Sequence, residues 1–241
     1  MKVSVVTVCF NAASLIERTV ASVRAQTYPS LQYVVIDGAS TDDTLLRLEP
    51  MRAHIDVLRS EPDAGIYDAM NKAIRLADGE LLLFMNAGDV FASPEALAQM
   101  VASMPAGPTG VVFGGWTVMR RDGCVEHRRP DIARGLFNHQ ATLYSRALHA
   151  RHGEYLCVRG LSAADFLFFR TLQAARRADF AVCPQVVAQI DPHGVSAGLQ
   201  TYLQRVLIDA LCGYEGRYVA AAKMAVHPLY HRLKKLLRGG R

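Results

Sequence analysis

Several features that would assign this chain to a specialised class of protein are missing from its 241 residues. The five cysteines are widely spaced and include no C-x-x-C pair, so we expect neither a zinc site nor a disulfide framework. No stretch approaches the roughly 20 apolar residues of a membrane-spanning helix. The N-terminal apolar run is too short for a signal peptide. These absences predict a cytoplasmic protein whose thiols are small core residues.

Acidic side chains are missing from the end of the chain, which leaves a basic tail. No Asp or Glu follows Glu215, whereas seven Lys and Arg residues do, so most of the formal charge of +5 belongs there. The last segment, HPLYHRLKKLLRGGR, predicts a helix with separate apolar and basic faces. Its apolar side carries Leu229, Leu233, Leu236 and Leu237 with Tyr230 nearby, and its basic sides carry Arg232, Lys234, Lys235 and Arg238.

Two interpretations of this tail stay open. A basic amphipathic helix suits peripheral contact with the anionic inner face of the plasma membrane, where each cation contributes about 1 kcal/mol. A helix packed on its own domain through the leucines fits the pattern equally well. Nucleic-acid binding is not expected, because the charge is local and no aromatic residues are interleaved with the basic ones.

What the sequence does contain is a regular alternation of predicted strands and helices over its first hundred residues. Apolar residues make up 51% of the chain, which is enough for a sizeable core. The predicted strands are KVSVVTVCF, LQYVVID, IDVLRS and GELLLFM, and the predicted helices are ASLIERTVASVRAQ, a segment opened by Ser40-Thr41-Asp42, IYDAMNKAIRLA and SPEALAQMVASM. This order predicts an α/β fold with a mostly parallel central sheet flanked by helices.

The pattern changes after Pro105. VVFGGWTVMRRDGCVEHRR predicts a hairpin around Arg-Asp-Gly, SAADFLFFRTLQAAR a helix, and DFAVCPQVVAQI a strand. From Gly198 onward the chain is predicted to be mainly helical, with interruptions at Gly213, Gly216 and Pro228. We therefore expect a mixed second half and a helical tail.

Polar residues stand at or just beyond the ends of all four predicted strands. If the strands are parallel, these residues meet at one edge of the sheet, as a nucleotide pocket requires. No G-x-G-x-x-G or G-x-x-x-x-G-K segment is present to hold phosphates, so a metal bound by carboxylates is the expected substitute. The residues are Thr7 and Asn11, Asp37, Ser60 and Asp63, and Asn86 and Asp89.

Each of these acids has a simpler interpretation when taken alone. Asp37 precedes Gly38 and a Ser40-Thr41-Asp42 segment, a pattern typical of a turn and a helix cap. Asp63-Ala-Gly is equally typical of a turn, and Asp89 alone is more typical of a turn than of a ligand. Their recurrence at matching strand ends is what favours a site.

Four stretches resemble the family 2 glycosyltransferases of the GT-A fold. They are SVVTVCFNAASLIERTVASVRAQTYPSLQYVVIDGASTDDT, SEPDAGIYDAMNKAIRLADGELLLFMNAGDVF, HQATLYSR and AADFLFFR. The resemblance implies a GT-A nucleotide-diphospho-sugar transferase that is inverting and serves bacterial surface or capsular polysaccharide synthesis. It implies a UDP-type or GDP-type donor and a saccharide or polyprenyl-linked acceptor.

The resemblance also implies a division of the chain. We expect one GT-A-like catalytic domain over 1–197, in which 1–104 bind the nucleotide and 105–197 the acceptor. A helical basic extension over 198–241 follows.

The resemblance implies roles for individual residues around the nucleotide. Thr7 matches a residue near the nucleoside, Asp37 the acid that meets the uracil or ribose, and Asp63 an acid at the base. Tyr67 and Asn71 match positions where the following helix faces the nucleotide.

The metal motif of the family, D-x-D or D-x-D-D, is incomplete in this sequence. Asn86 and Gly88 replace two of its acids and Asp89 keeps the last. Asp89 is therefore the residue assigned to a divalent cation, Mn²⁺ or Mg²⁺. Asn86 can hydrogen-bond ribose or diphosphate but adds no charge.

Asp165 matches the general base of the family. In a single displacement this carboxylate would take a proton from the acceptor hydroxyl. The alternative is a plain helix cap, because Ser162-Ala-Ala-Asp165 has the spacing of a capping box.

Three further residues are candidates for the acceptor or diphosphate side. His139 and Gln140 match a His-Gln pair of the subgroup, although a buried structural histidine is an alternative. His193 is placed to reach a phosphate or is a surface histidine of a loop. With the metal motif incomplete, two other functions stay open: a non-catalytic nucleotide-sugar-binding or partner subunit, and a metal-independent transferase.

Overall fold

A computed structural model describes residues 1–119, 124–191 and 198–238, with side chains up to Pro228 in the last segment. The chain divides into two compact units. The first consists of Met1–Cys157 and Arg177–Gly194, and the second of Val158–Arg176 and Val195–Arg241. Val158–Arg176 thus groups with the tail, whereas we expected it to belong to the catalytic domain. The division at residue 197 stays a prediction.

The predicted strands and helices occur in the predicted order, together with three elements that were not predicted, at Val90–Phe91, Thr142–Ser145 and Ala147–His152. The strands are β1 Val3–Cys9, β2 Leu31–Asp37, β3 Val57–Ser60, β4 Leu81–Phe84, β5 Val90–Phe91, β6 Gly110–Met119, β7 Val125–Arg128, β8 Thr142–Ser145 and β9 Asp179–Ile190. The helices are α1 Ile16–Arg24, α2 Thr44–Leu48, α3 Ile66–Leu76, α4 Ala96–Ala102, α5 Ala147–His152, α6 Ala164–Ala174, α7 Leu199–Leu211 and α8 Arg217–Arg238. Short 3-10 turns cover Glu49–His54 and His139–Ala141.

The strands of the first unit form a single sheet in the order β3-β2-β1-β4-β8-β6-β9-β5, with β7 paired to β6. The pairs β3–β2, β2–β1 and β1–β4 are parallel, which is the parallel sheet that the strand-helix alternation predicts. The rest is mixed: β6–β9 is parallel, while β4–β8, β6–β8, β6–β7 and β5–β9 are antiparallel. The short β6–β7 connection permits only antiparallel pairing. Its predicted Arg-Asp-Gly turn lies outside the described residues.

The parallel strands pack in a hydrophobic core, which accounts for their mostly apolar sequences. All seven residues of β1 are buried because the strand is covered on both faces, and its two polar residues, Ser4 and Thr7, are hydrogen-bonded inside. Val3 and Val5 pack in one cluster with Ile16, Val20 and Val23 of α1. This packing holds the strand ends in fixed positions from which loops can present polar groups.

The second unit contains α6, α7 and α8. Arg170 of α6 is 1% exposed, pairs with Asp209 of α7 at 2.6 Å, and lies 3.4 Å from the ring centre of Tyr214. Gly213 and Gly216 separate α7 from α8, as predicted.

The predicted interruption at Pro228 is wrong. Pro228 lies inside α8, which continues to Arg238. A proline removes one backbone hydrogen bond and crowds the preceding turn, but a long helix can continue past it with a local bend. Among the described helices, none has the length and apolar character needed to cross a membrane.

Candidate active site

The carboxyl ends of the four parallel strands meet at one edge of the sheet, as the sequence predicts. Cys9 at the end of β1 is in register with Asp37 of β2, and Asp37 with Ser60 of β3. Val6 of β1 is in register with Phe84 at the end of β4. The loops that follow these strands therefore start side by side.

Asp37 lies at the centre of this edge and is fully buried. Its carboxylate accepts hydrogen bonds from the backbone N–H of Ser40 at 3.0 Å and from the Ser60 hydroxyl at 2.7 Å. Burial, with the Asp37 charge nearby, raises the pKa of the Cys9 thiol, so Cys9 is a neutral core residue. The turn that the sequence allows at Asp37 is present, and the assignment of Asp37 to the nucleotide stays a prediction.

Asn11 joins the loop after β1 to the loop after β2. Its side-chain oxygen accepts from the N–H of Thr41 at 2.9 Å, and its own N–H donates to the Ser40 hydroxyl at 2.8 Å. Asn11 adopts φ 48°, a left-handed conformation that asparagine tolerates better than most residues. Asn11 is exposed, so it borders the site, and its hydrogen bonds hold the two loops together.

Asp63 lies directly against the backbone that follows Asp37. A Cβ atom at Gly38 would lie 3.2 Å from Asp63 Cγ and closer still to Asp63 Oδ2, so a larger residue there would require the Asp63 side chain to move. The other oxygen of Asp63 accepts from the N–H of Gly65 at 2.8 Å, just before α3 begins. The fold thus brings together the two acids that the resemblance assigns to the nucleoside.

Phe10 was not among the predicted site residues, yet it lies beside Gly38, as Asp63 does. The residue is 61% exposed, and its ring would lie 3.5 Å from a Cβ at Gly38. A large aromatic residue directly after a buried strand and beside polar residues is the signal that could have found it. Exposed aromatic rings at such a position provide a surface for stacking of planar groups.

Thr7 lies deeper than the other candidates. Its hydroxyl donates to the carbonyl of Met85 at 2.8 Å and accepts from the Tyr33 hydroxyl at 2.8 Å, and both groups are buried. Burial raises the pKa of Tyr33. Thr7 therefore ties β1 to β2 and to the segment after β4, and a contact with the nucleoside stays a prediction.

Tyr67 and Asn71 of α3 are directed towards Tyr155. The Asn71 amide donates to the Tyr155 carbonyl at 2.9 Å and accepts from the Tyr155 N–H at 3.0 Å. The Tyr67 ring centre lies 5.8 Å from that of Tyr155. These contacts give both residues a structural task, and their assignment to the nucleotide stays a prediction.

The loop after β4 is held around Asp89, which is 4% exposed. One oxygen of Asp89 accepts from the side-chain amide of Gln140 at 2.6 Å and the other from the backbone N–H of Asp191 at 2.8 Å. Thr19 donates to the Asp89 carbonyl at 2.8 Å and accepts from the N–H of Gly88 at 2.9 Å. Burial is the main cause that raises the pKa of Asp89 to about 6.

His139 and Gln140 reach this loop from the turn before β8. The His139 ring nitrogen lies 3.0 Å from the Asn86 side-chain nitrogen, and Asn138 holds the turn by accepting from the Gln140 N–H at 2.9 Å. The side-chain oxygens of Asn86 and Gln140 are buried and have no hydrogen-bond partner among the described residues. Buried polar atoms of this kind normally have a partner, so a ligand group is a natural one here.

The donor set at this edge determines whether a metal ion fits. The loop itself offers one acid, and the described residues contain no group of three or more His, Cys, Asp or Glu side chains able to hold a metal. Asp191 at the end of β9 adds a second carboxylate close by. Mg²⁺ is commonly bound by one or two carboxylates together with substrate phosphates, and oxygen ligands also suit Mn²⁺. The residues present therefore fit a cation that is shared with a diphosphate.

Asp165 lies in the second unit, in the first turn of α6. The residue at the N-cap is Ala163, which makes no side-chain cap, and the Ser162 hydroxyl is paired with Thr201 at 2.7 Å. The capping box that the sequence allows is therefore not formed. The role of Asp165 as the general base stays a prediction. His193 lies outside the described residues.

Comparison with known protein families accounts for this arrangement. A model of the family described as "Glycosyl transferase family 2" matches residues 4–159, which include the four strand ends and the His-Gln pair. The chain belongs to glycosyltransferase family 2. The resemblance noted in the sequence is confirmed.

Two relatives agree with the family assignment. An uncharacterized glycosyltransferase of Mycobacterium tuberculosis is 35% identical over 205 residues, which cover 81% of this chain and 77% of the relative. A PGL/p-HBAD biosynthesis glycosyltransferase of Mycobacterium bovis is 31% identical over 172 residues, covering 68% of this chain and 67% of the relative.

Solved structures show the same fold as this member of family 2. S. aureus TarS 1-349 in complex with UDP-GlcNAc has a TM-score of 0.70 at 19% identity over 88% of this chain. The mannosyltransferase PcManGT of Pyrobaculum calidifontis, in complex with GDP-Man and Mn²⁺, has a TM-score of 0.68 at 24% identity over 90% of this chain. The chain spans 65% of the length of each. The predicted GT-A fold is confirmed.

Proposed function

We propose that this chain is an inverting glycosyltransferase that moves a sugar from a nucleotide-sugar donor to a saccharide or lipid-linked acceptor in cell-surface polysaccharide synthesis. The observation that carries the proposal is the meeting of Asp37, Asp63 and the Asn86–Asp89 loop at one strand-end edge. Its support includes membership of family 2 and the structural likeness to proteins solved with UDP-GlcNAc and with GDP-Man.

The rim formed by Phe10, Asp37, Gly38 and Asp63 is proposed to bind the nucleoside. A carboxylate accepts an N–H of a base or the hydroxyls of a ribose, and Asp63 keeps lone pairs for this purpose while it holds Gly65. The exposed Phe10 ring would stack on the base. Asn11 borders the same rim.

The loop after β4 is proposed to meet the diphosphate. Asp89 would hold a divalent cation there, and Asn86 and Gln140 would turn their unpartnered oxygens to the ligand. When bound, such a cation offsets the negative charge that develops on the leaving phosphate. His139, beside Asn86, would hydrogen-bond a phosphate or the acceptor.

Asp165 is proposed as the general base. Its carboxylate takes the proton of the acceptor hydroxyl while that oxygen bonds to the anomeric carbon, and the bond from this carbon to the donor phosphate breaks. The nucleoside diphosphate leaves with the electron pair of that bond. Support for the assignment is the AADFLFFR match, and the finding that Asp165 is not the cap of α6.

A peripheral contact with the membrane is proposed for the second unit. Among the described side chains of α8, from Arg217 to Pro228, only Ala220 is buried, whereas Tyr218 and Val226 are exposed. Leu211 at the end of α7 is exposed as well. α8 itself carries no Asp or Glu, and an apolar helical surface beside basic residues is complementary to an anionic lipid surface, which suits the inner face of the plasma membrane. The leucine face from Leu229 onward lies outside the described side chains.

A calorimetric titration with UDP, GDP and CMP, with Mn²⁺ and with EDTA, tests the proposal. We expect one nucleoside diphosphate to bind, and Asp63→Asn to weaken it about tenfold, because an amide retains the bond to Gly65 but loses the charge. Asp43→Asn is the matched control, since Asp43 is an exposed acid that caps nothing. Absence of binding by every nucleotide would overturn the transferase proposal. Binding without turnover of any donor would favour the partner-subunit alternative.

A further inference from the structure

Gly88 has no side chain, and the space where one would begin is bordered by the side chain of Asp191. Gly88 stands where the family motif carries an acid, and its φ is +99°, a conformation that favours glycine. A Cβ atom at Gly88 would lie 3.3 Å from the Cβ of Asp191 and 3.4 Å from its Oδ2. The carboxylate of Asp191 therefore lies against the loop where a side chain of residue 88 would begin.

Asp191 is tied to the loop from both sides. Its N–H donates to Asp89 at 2.8 Å, and Arg18, which donates to the Gly88 carbonyl, lies 3.6 Å from the Asp191 carboxylate. The Asp191 side chain is 12% exposed, whereas that of Arg18 is 48% exposed. The side chain of Arg18 is thus the more solvent-exposed partner of this pair, whereas Asp191 is fixed at its backbone.

A second, independent observation is that two buried side-chain oxygens near Asp89 lack hydrogen-bond partners among the described residues. Gln140 is 6% exposed and presents its nitrogen to Asp89, because a carboxylate needs a donor. This orientation leaves the Gln140 oxygen without a hydrogen-bond partner in the part of the chain that the structure describes, and the same holds for the Asn86 oxygen. Two carboxylates and two unpartnered amide oxygens form a set of hard oxygen donors around one loop.

We infer that Asp191 supplies the second carboxylate of the cation–diphosphate site, in place of the acid that is missing at position 88. The inference rests on the proposed function and names a residue that the family motif does not contain. The ligand class is a divalent cation shared with a nucleoside diphosphate. The β4 loop then carries one acid of the pair and the end of β9 the other.

Binding of Mn²⁺, followed by electron paramagnetic resonance on the full chain with UDP, tests the assignment. Asp191→Asn keeps the shape and the backbone N–H bond to Asp89 and should lower Mn²⁺ affinity at least tenfold, on the order found when a metal site loses a supporting group. Asp191→Glu, which keeps the charge, should stay within about threefold of the parent chain, well under that loss. Asp179→Asn, at the other end of β9, is the control and should bind Mn²⁺ as the parent does.

Equal Mn²⁺ affinity for the parent and Asp191→Asn would overturn the inference, as would equal losses for the Asn and Glu variants. No Mn²⁺ binding by the parent would overturn it too. UDP affinity in EDTA separates this failure from failure of the proposed function. If the parent binds UDP in EDTA but no Mn²⁺, only the inference fails. If it binds neither UDP nor GDP in either condition, the transferase proposal fails as well.

Discussion

The side-chain amide of Gln140 donates to the buried carboxylate of Asp89 at 2.6 Å, across 51 residues of sequence. This bond joins the turn before β8 to the loop after β4. Asp89 is therefore not an exposed turn residue but the centre of a polar cluster at the sheet edge. A buried carboxylate in such a cluster is costly to ionise, so its ionisation should affect the stability of the folded chain.

Asp89 should make the stability of the chain depend on pH. Burial raises its pKa from 3.8 to about 6, so the folded state binds a proton more tightly than the unfolded state. The contribution of Asp89 is therefore fully present below about pH 4 and is lost as the pH rises through about 6. Between pH 5 and pH 7 the loss is about 1 kcal/mol.

The Asp89→Asn variant tests this dependence, because it removes the titration and keeps an acceptor for the Asp191 N–H. The free energy of unfolding, measured by urea denaturation, should fall from pH 5 to pH 7 by about 1 kcal/mol more in the parent than in the variant. Parallel pH profiles for the two proteins would contradict the raised pKa.

Phe10 should contribute to nucleotide binding if it stacks on the base. Stacking of one base on an aromatic side chain is worth about 1–3 kcal/mol, so Phe10→Ala should weaken UDP binding at least about fivefold. Leu46→Ala is the control, because Leu46 is also a large exposed apolar residue but lies on α2. Equal UDP affinity of Phe10→Ala and the parent, by calorimetry, would remove Phe10 from the site.

The strand-end geometry could be predicted from sequence because it follows from local patterns. Runs of valine, isoleucine and leucine separated by helices require parallel strands, and parallel strands place their ends together. The strand DFAVCPQVVAQI was predicted with the bounds that β9 has, Asp179–Ile190. The convergence of Asp37, Asp63 and Asp89 needed nothing beyond this order.

The contacts that complete the site could not be predicted, because they join distant segments. Asp191 meets Asp89 across 102 residues, and no local pattern encodes that approach. The capping box that the sequence offered as an alternative at Ser162 is not formed for the same reason, since the Ser162 hydroxyl pairs with Thr201 of α7 instead. Tertiary partners decided both outcomes. Placing Pro228 as a break failed because helix propensity is a weak prior in a long helix.

Asn71 should be important for stability whether or not it meets the nucleotide. Asn71→Leu leaves the N–H and the carbonyl of Tyr155 without their side-chain partner, and a buried polar group without a partner costs about 1–3 kcal/mol. Arg75→Ala, one turn further along α3, removes an exposed ion pair with Glu154 and one hydrogen bond to the Asn71 carbonyl, and should cost under about 1 kcal/mol. Urea denaturation of both variants measures the difference, and equal costs would contradict the structural role of Asn71.

The exposed apolar surface of α7 and α8 should bind anionic lipid. The chain is expected to float with vesicles of phosphatidylcholine containing phosphatidylglycerol and much less with phosphatidylcholine alone, and higher salt should weaken the binding. Leu211→Ser with Tyr218→Ser should reduce flotation several-fold, because apolar area buried in the interface is lost. Leu46→Ser, on the first unit, should not. Flotation that ignores lipid charge, or is unchanged in the double variant, would contradict the membrane proposal.

Asp165 should control the chemical step and not donor binding. Asp165→Asn keeps the size of the side chain but cannot take a proton, so kcat should fall about 10²–10⁴-fold while the KM for the donor changes little. Asp179→Asn is the control. Asp179 lies on β9 and accepts from the Thr109 hydroxyl, so this variant should retain the parent rate. A single displacement also requires that the product have the anomeric configuration opposite to that of the donor, which proton NMR of the product detects. An Asp165→Asn rate within tenfold of the parent would remove Asp165 as the base, and a product with retained configuration would exclude the single displacement altogether.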